Sequence, residues 1–402
     1  MRSCAGWIGL MMLASASACG GGPRYPVVDS AQSQCFDAEQ NIPCPAPGTA
    51  FSGQDAQFVR HTPRYRDNHD GTVSDLVTGL DWQKSYAVLS FDEARQQAAG
   101  LALGGQHDWR LPTIKELYSL ALFSGVDASS QEMSELPATV RPFIDPVFDF
   151  AYGSNGPRPI DSQLLSATLY GGRTMGRDQS VFGFNAADGR IKAYPLIEPR
   201  ERRPMRFTVR YVRGNLAYGK NVFQDLGEGR VADRATGLMW AQHDSGEALD
   251  WPQALAWAAR MNAERYLGFS DWRVPDAKEL QSLVDYSRSP QATATAAIDP
   301  LFVVSTMRDE DGRAAFPCYW SSTTHQNPGD AADAVYLCFG EALGHFRPPG
   351  ARGPVRLLDV HGAGAQRADP KQGGAQSFPM GRGPQGDVVR SAHYVRLVRD
   401  LD

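Results

Sequence analysis

The chain is written twice, and this duplication limits its fold more than any other feature. Asp75-Leu76-Val77-Thr78-Gly79-Leu80-Asp81-Trp82 returns as Asp233-Arg234-Ala235-Thr236-Gly237-Leu238-Met239-Trp240. Asp108-Trp109-Arg110-Leu111-Pro112-Thr113-Ile114-Lys115-Glu116-Leu117 returns as Asp271-Trp272-Arg273-Val274-Pro275-Asp276-Ala277-Lys278-Glu279-Leu280. Ile144-Asp145-Pro146 with Phe148 returns as Ile298-Asp299-Pro300 with Phe302, and Ser166-Ala167-Thr168 as Ser321-Ser322-Thr323. Val209-Arg210-Tyr211-Val212-Arg213 closes one copy, and Val395-Arg396-Leu397-Val398-Arg399 closes the other. Five blocks in one order mean two related units, because self-similarity at a fixed offset is how repeated architectures appear in sequence. The offset stays near 155 to 163 residues and then reaches 186 at the last block, so the second copy carries extra chain ahead of its closing strand.

Local signals predict the elements of each copy. Asn68-His69-Asp70-Gly71 is a turn before a strand-like stretch. Ser90 with Glu93 and Thr113 with Glu116 match capping boxes, and Asp250 with Gln253 and Asp276 with Glu279 repeat them. Each copy is expected to run strand pair, helix, helix, long irregular middle, strand pair and closing strand, an α+β order. The expected division is a leader at 1–19, a linker at 20–34, a first domain at 35–214 and a second at 215–402. The stretch at about 347–391 is rich in Gly and Pro and reads as a surface insertion, or alternatively as an ordered binding loop.

Composition narrows the function. Hydrophobic residues at 42% and charged residues at 21% fit a globular chain, not a disordered one. A net charge of −5 argues against broad nucleic-acid binding, which needs a phosphate-neutralising surface. Arg2, the apolar run Trp7-Ile8-Gly9-Leu10-Met11-Met12-Leu13 and the small residues Ala16-Ser17-Ala18 form an export signal too short to span a bilayer. Cys19 after these small residues, followed by Gly20-Gly21-Gly22, resembles the lipobox of bacterial lipoproteins. That resemblance implies acylation of Cys19 and an outer-membrane-anchored protein of the cell envelope, touching the membrane through its lipid alone. Plain cleavage after Ala18 with secretion is the alternative. Cys4 leaves with the leader, so four cysteines remain in an oxidising compartment. Cys35–Cys44 closes a short loop and Cys318–Cys338 flanks a strand pair, and both read as structural disulfides.

No residue set suggests catalysis. There is no His-x-x-x-His cluster, nucleophile elbow, phosphate loop or dinucleotide fingerprint, so no metal, cofactor or catalytic residue is expected. An EF-hand register on Gly71 would put Arg66 and Val77 at carboxylate positions, leaving Asp67 and Asp70 as turn residues. Trp82, Trp109, Trp240, Trp272 and Trp320 read as core. Arg110 and Arg273 read as partners of buried carboxylates, and Glu116 and Glu279 as caps. The candidate ligand contacts are Arg200, Arg202, Arg203 and Arg206 in the basic stretch 200–213, because arginine pairs bidentately with sulfate and carboxylate. His325, Asn327 and Asp330 in the loop 324–330, together with the loop 347–386, complete the candidate surface.

The repeated blocks resemble the Lcl C-terminal domain family, whose members carry a DNGDGTVTD-like opening, TGLxWQ, SDWRLPxxKEL, YWSST and a closing YVRxVR strand. Here these are Asp67-Asn68-His69-Asp70-Gly71-Thr72-Val73-Ser74-Asp75, Thr236-Gly237-Leu238-Met239-Trp240, Ser270-Asp271-Trp272-Arg273-Val274-Pro275, Tyr319-Trp320-Ser321-Ser322-Thr323 and Tyr394-Val395-Arg396-Leu397-Val398-Arg399. Two departures stand out: the first copy has Leu164-Leu165-Ser166-Ala167-Thr168 in place of YWSST, and the second lacks the Asp-Gly opening. The Asp-Trp-Arg-Leu-Pro-Thr segment is also similar to one in the C-type-lectin-like and formylglycine-generating-enzyme superfold. The resemblance implies two tandem lectin-like modules, each with two helices, a small antiparallel sheet and long loops. It implies non-catalytic recognition or adhesion, with a glycan or envelope polymer as partner, since one family member is a surface adhesin that binds sulfated glycosaminoglycans. A formylglycine-generating-type oxidoreductase using a thiol or copper pair, and a structural envelope protein without a soluble ligand, are the alternatives.

Overall fold

The structure is a computed structural model describing residues 25–348, 350 and 352–401. The expected leader and Cys19 lie outside the described residues. Among the described residues, no helix is long and apolar enough to cross a membrane.

Among the described residues five α-helices form: α1 (Phe91–Gly100), α2 (Ile114–Ser119), α3 (Trp251–Ala263), α4 (Ala277–Ser282) and α5 (Pro290–Thr293). The first four begin at the expected boxes, where Ser90, Thr113, Asp250 and Asp276 each accept from the backbone N–H three residues on. Reciprocal bonds of this kind satisfy donors that a helix start otherwise leaves orphaned.

Strands dominate. One eight-stranded sheet runs in the order Cys318–Asn327, Asp330–Cys338, Gln366–Pro370, Arg190–Pro195, Ser180–Asn185, Gln163–Leu169, Arg206–Val209, Ala87–Ser90. Its first three strands belong to the second copy and the other five to the first. The join is an antiparallel pairing of Gln366 with Ile191. Outward from it, the copies match: Thr208 bridges Leu164 in parallel, as Tyr394 bridges Tyr319. The two copies are therefore related by an approximate twofold through the join. Each copy adds a four-stranded antiparallel sheet built on its Thr-Gly-Leu turn, closed by Val212–Gly214 in the first and Val398–Asp400 in the second.

This corrects the expected architecture. The chain is mostly β, the copies share one large sheet, and the second copy holds a third short helix, so two separate lectin-like modules with two helices and a small sheet each are not what forms. The shared sheet escapes sequence reading in part because some of its strands are covered on both faces. Ser180–Asn185 is buried at every position and so lacks the alternation that marks a half-exposed strand. The Gly/Pro-rich stretch is also ordered among the described residues. It contains the joining strand Gln366–Pro370, and its Arg356–Asp359 pairs with Leu343–Phe346.

The two helix layers follow from strand alternation. Leu164, Phe182, Phe184, Val335 and Leu337 face a core that both copies build, with Ile114 and Leu117 of α2 and Ala277 and Leu280 of α4 packed together on that side. Neighbouring residues point the other way. Leu165 and Val181 pack with Ala94 of α1, while Ala334 and Tyr336 pack with Ala254 of α3. Helices α1 and α3 thus cover the two ends of the second face, and its middle, over the join, is left to polar groups.

A reciprocal lysine exchange locks α2 to α4. Lys115 Nζ donates to the Ser282 carbonyl at 2.7 Å, and Lys278 Nζ donates to the Ser119 carbonyl at 2.9 Å. Each ammonium therefore sits at the carbonyl end of the other copy's helix, where a cation is favoured. Burial pushes both lysines down to about 8. Both expected disulfides form: Cys35–Cys44 in the lead-in to the first copy, and Cys318–Cys338 across the strand pair that registers those two residues opposite each other. They are consistent with an exported, non-cytoplasmic protein.

A candidate binding cleft at the join of the two copies

The uncovered middle of the sheet forms a cleft of about 620 Å³. Its floor combines Arg190 and Lys192 from one copy with Arg367 and Asp369 from the other, the outward-pointing members of the two joining strands. One wall is the hairpin turn that carries Asn327 and Asp330. Another is the loop 382–387 from the Gly/Pro-rich stretch. That loop depends on glycine, since Gly386 holds φ 61° and a Cβ there would run into the His345 carbonyl.

Charge in the cleft is held by three buried His–Asp pairs and their arginines. His361 Nε2 and Asp387 lie 2.8 Å apart, and Arg367 donates to the other oxygen of Asp387. His393 Nε2 is 3.0 Å from Asp369, and His325 Nε2 is 3.1 Å from Asp127, which Arg190 also pairs at 2.7 Å. Burial alone would raise the Asp127 and Asp387 carboxyls, but the guanidiniums and imidazoles beside them outweigh it and hold both well below the usual carboxylate range. Arg382 closes the rim on Asp333 at 3.1 Å. Donor atoms on the cleft's cations are left over, Arg190 Nε among them. The Lys192 ammonium makes no hydrogen bond or ion pair among the described residues, and burial pushes it down to about 8. Arg367 Nη1 is buried without a protein partner. An unpaired buried donor costs free energy of order 1–3 kcal/mol unless something accepts from it.

The expected contacts divide sharply. Asn327 and Asp330 line the cleft. His325, expected in the loop surface, is instead fully buried and stacked on Phe143 at 5.5 Å, because strand Cys318–Asn327 extends through it. The basic stretch lies elsewhere, at the outer edge of the first copy. Arg200 and Arg202 are exposed, Arg203 pairs with Glu198 and Glu201, and Arg206 pairs with Glu93 on a strand three removed from the join. Arg210 and Arg213 leave that stretch altogether: Arg210 is buried, and Arg213 is held by Asp81 and Asp108. Sequence reading missed Lys192, Arg367 and the His–Asp pairs. Their partners are distant in the chain, and nothing in the sequence says that the two copies touch. Asp67 and Asp70 are turn residues bound to Lys84 and Thr72. Among the described residues, no group of three His, Cys, Asp or Glu side chains stands where it can hold a metal ion.

The His361 pair predicts acid sensitivity. Burial lowers its imidazole to about 4 from an ordinary 6.5, against the upward pull of Asp387. The unfolded chain then binds more protons than the folded one between these values, so stability rises with pH across that window. Acidifying from pH 6.5 towards 4 should cost roughly 1.4 kcal/mol per unit from this group. With melting temperatures followed from pH 7 to 4.5, the parent should lose more stability, or gain less, on acidification than His361→Asn, because the raised carboxyls Asp55 and Asp359 act in the opposite direction in both. An equal slope in the variant would refute this role.

A family model described as the Lcl C-terminal domain matches residues 71–213 and 229–358. No curated protein and no solved structure matches the chain. The two matches fall one on each copy and together cover most of the chain, so the protein belongs to the Lcl C-terminal domain family, as a tandem member.

Proposed function

We propose that the protein is a non-catalytic recognition module of the bacterial cell envelope, exported as a lipoprotein, and that it binds a glycan or envelope polymer in the cleft at the join. The observation that carries this reading is the pair of unpartnered donors, the Lys192 ammonium and Arg367 Nη1, set among the carboxylates Asp188, Asp333 and Asp369. Alternating donors and acceptors suit a polyhydroxylated chain, and the unpaired Lys192 ammonium favours one bearing acidic groups. The volume lies within the usual range of small-ligand sites. All four described cysteines are tied in disulfides, which supports recognition over thiol or copper chemistry.

The test is a broad array of glycans and envelope polymers, probed with protein beginning at residue 20, with and without EDTA. Binders should be indifferent to EDTA, weaken as salt screens the charges, and lose at least about tenfold in Lys192→Ala. An array without binders, or binders that ignore Lys192→Ala, would count against the cleft.

A further inference from the structure

The approximate twofold makes two equivalent grooves, and the described residues fill only one of them. In the second copy the lead-in 25–61 occupies the groove between α4, the strand through Thr323 and Thr324, and residues 119–123 of the first copy. Asp55 accepts from the Thr323 hydroxyl and from Ser30 Oγ. Gln32 binds both backbone groups of Thr324, accepting from its N–H at 2.9 Å and donating to its carbonyl at 2.8 Å. Ser30 O accepts from Phe123 N at 2.7 Å, and the Phe58 ring lies 5.6 Å from the Arg273 guanidinium. Under this cover Arg273 is only 6% exposed.

In the first copy the equivalent groove is bounded by Arg110, Thr113, Thr168, Leu283 and Tyr286, and it is an open space of about 560 Å³. Thr168 stands where Thr323 does: each hydroxyl accepts at 3.0 Å from the first backbone N–H of the neighbouring helix, Ile114 in one copy and Ala277 in the other. The inter-copy linker follows only the start of the lead-in's course. Asn221 Oδ1 accepts from Lys115 as Asp29 O accepts from Lys278, and the linker then turns away into the strand Phe223–Gly227. Arg110 keeps its bidentate grip on Glu116 but is 28% exposed, with no ring over it among the described residues. An acid entering here would also meet Thr113 where Asp55 faces the buried Asp276. On the rim, Lys220 offsets the carboxylates Asp285 and Asp299 that also line the groove.

We propose that the groove on the first copy docks an extended peptide segment of a partner protein, one carrying an acidic side chain and an aromatic ring three residues later. This is the chemistry with which Asp55 and Phe58 fill the equivalent groove on the second copy. The carboxylate accepts from the Thr168 hydroxyl, and the ring covers the Arg110 guanidinium.

The probe is the chain's own lead-in supplied in trans: a labelled synthetic peptide of residues 28–61, oxidised at Cys35–Cys44, titrated with protein beginning at residue 20. The expected result is saturable one-to-one binding. It should weaken at least tenfold in Thr168→Val, recover in Thr168→Ser, and weaken equally when the peptide carries Asp55→Asn. No binding at millimolar peptide would overturn the proposal. So would binding lost in Thr323→Val but kept in Thr168→Val, because that pattern means exchange with the chain's own lead-in.

Discussion

Replacing Arg396 by alanine should lower the stability of the whole protein by about 3–5 kcal/mol, measured by chemical denaturation. This side chain is fully buried, and it is tied to backbone more than to any acid. Its guanidinium donates to the carbonyls of Ala241, Gln242 and Val303 and to Tyr319 Oη. It stacks over Phe302 at 5.1 Å, and the nearest carboxylate, Asp244, is 3.8 Å away. Alanine would strip a donor from three carbonyls, that of Ala241 buried, and open a cavity beside two aromatic rings. Lysine would retain the charge but not the fork that reaches several acceptors, so Arg396→Lys should recover little of the loss. The first copy repeats the device: Arg210 binds the carbonyls of Gln83, Lys84, Ser85 and Asp149 over Phe148, and burial pushes it down to about 10. The repeated Ile-Asp-Pro block supplies the ring and the last carbonyl in both copies, which explains why that block and the closing Val-Arg strand recur together.

Arg273→Ala should also cost about 3–5 kcal/mol, whereas Arg110→Ala at the equivalent place should cost about 1–3 kcal/mol. Both arginines grip a buried glutamate with two bonds, Glu279 and Glu116. They differ in what lies above them. The lead-in seals Arg273, and burial, which alone would raise Glu279, is outweighed by the guanidinium, so that carboxyl is held below its ordinary value. Removing Arg273 leaves the buried Glu279 beside Asp276 and Asp55 with only Arg60, 4.0 Å away, to offset it. In the first copy, water reaches Arg110 and can solvate Glu116 once the arginine is gone. Equal losses at the two positions would mean that the lead-in does not seal the second groove.

The sequence made the parts legible and hid how they join. The capping boxes, the core tryptophans, the Arg–Glu grips and both disulfides are local or repeated, and each was readable from residue type and spacing. Lys115 and Lys278 look like solvated helix residues in a Lys-Glu-Leu motif, because the carbonyls they bind belong to the other copy. The joining strand Gln366–Pro370 sits in a stretch whose Gly and Pro content masks it, and the doubly covered strand Ser180–Asn185 carries no alternation. Arg210 reads as part of a solvated basic stretch and His325 as a loop residue, while here each lies on or beside a strand and points into a core that supplies carbonyls or a carboxylate. The cleft depends on that join, so only its rim residues, Asn327 and Asp330, were within reach of sequence.

Calorimetric unfolding of the intact protein beside Arg396→Ala tests most directly whether the two copies are one structural unit. A shared core, a continuous sheet and the Lys115–Lys278 exchange predict a single transition in both proteins, moved to lower temperature as a whole by the substitution. Two transitions, of which the substitution moves only one, would contradict the account and with it a binding cleft built at the join.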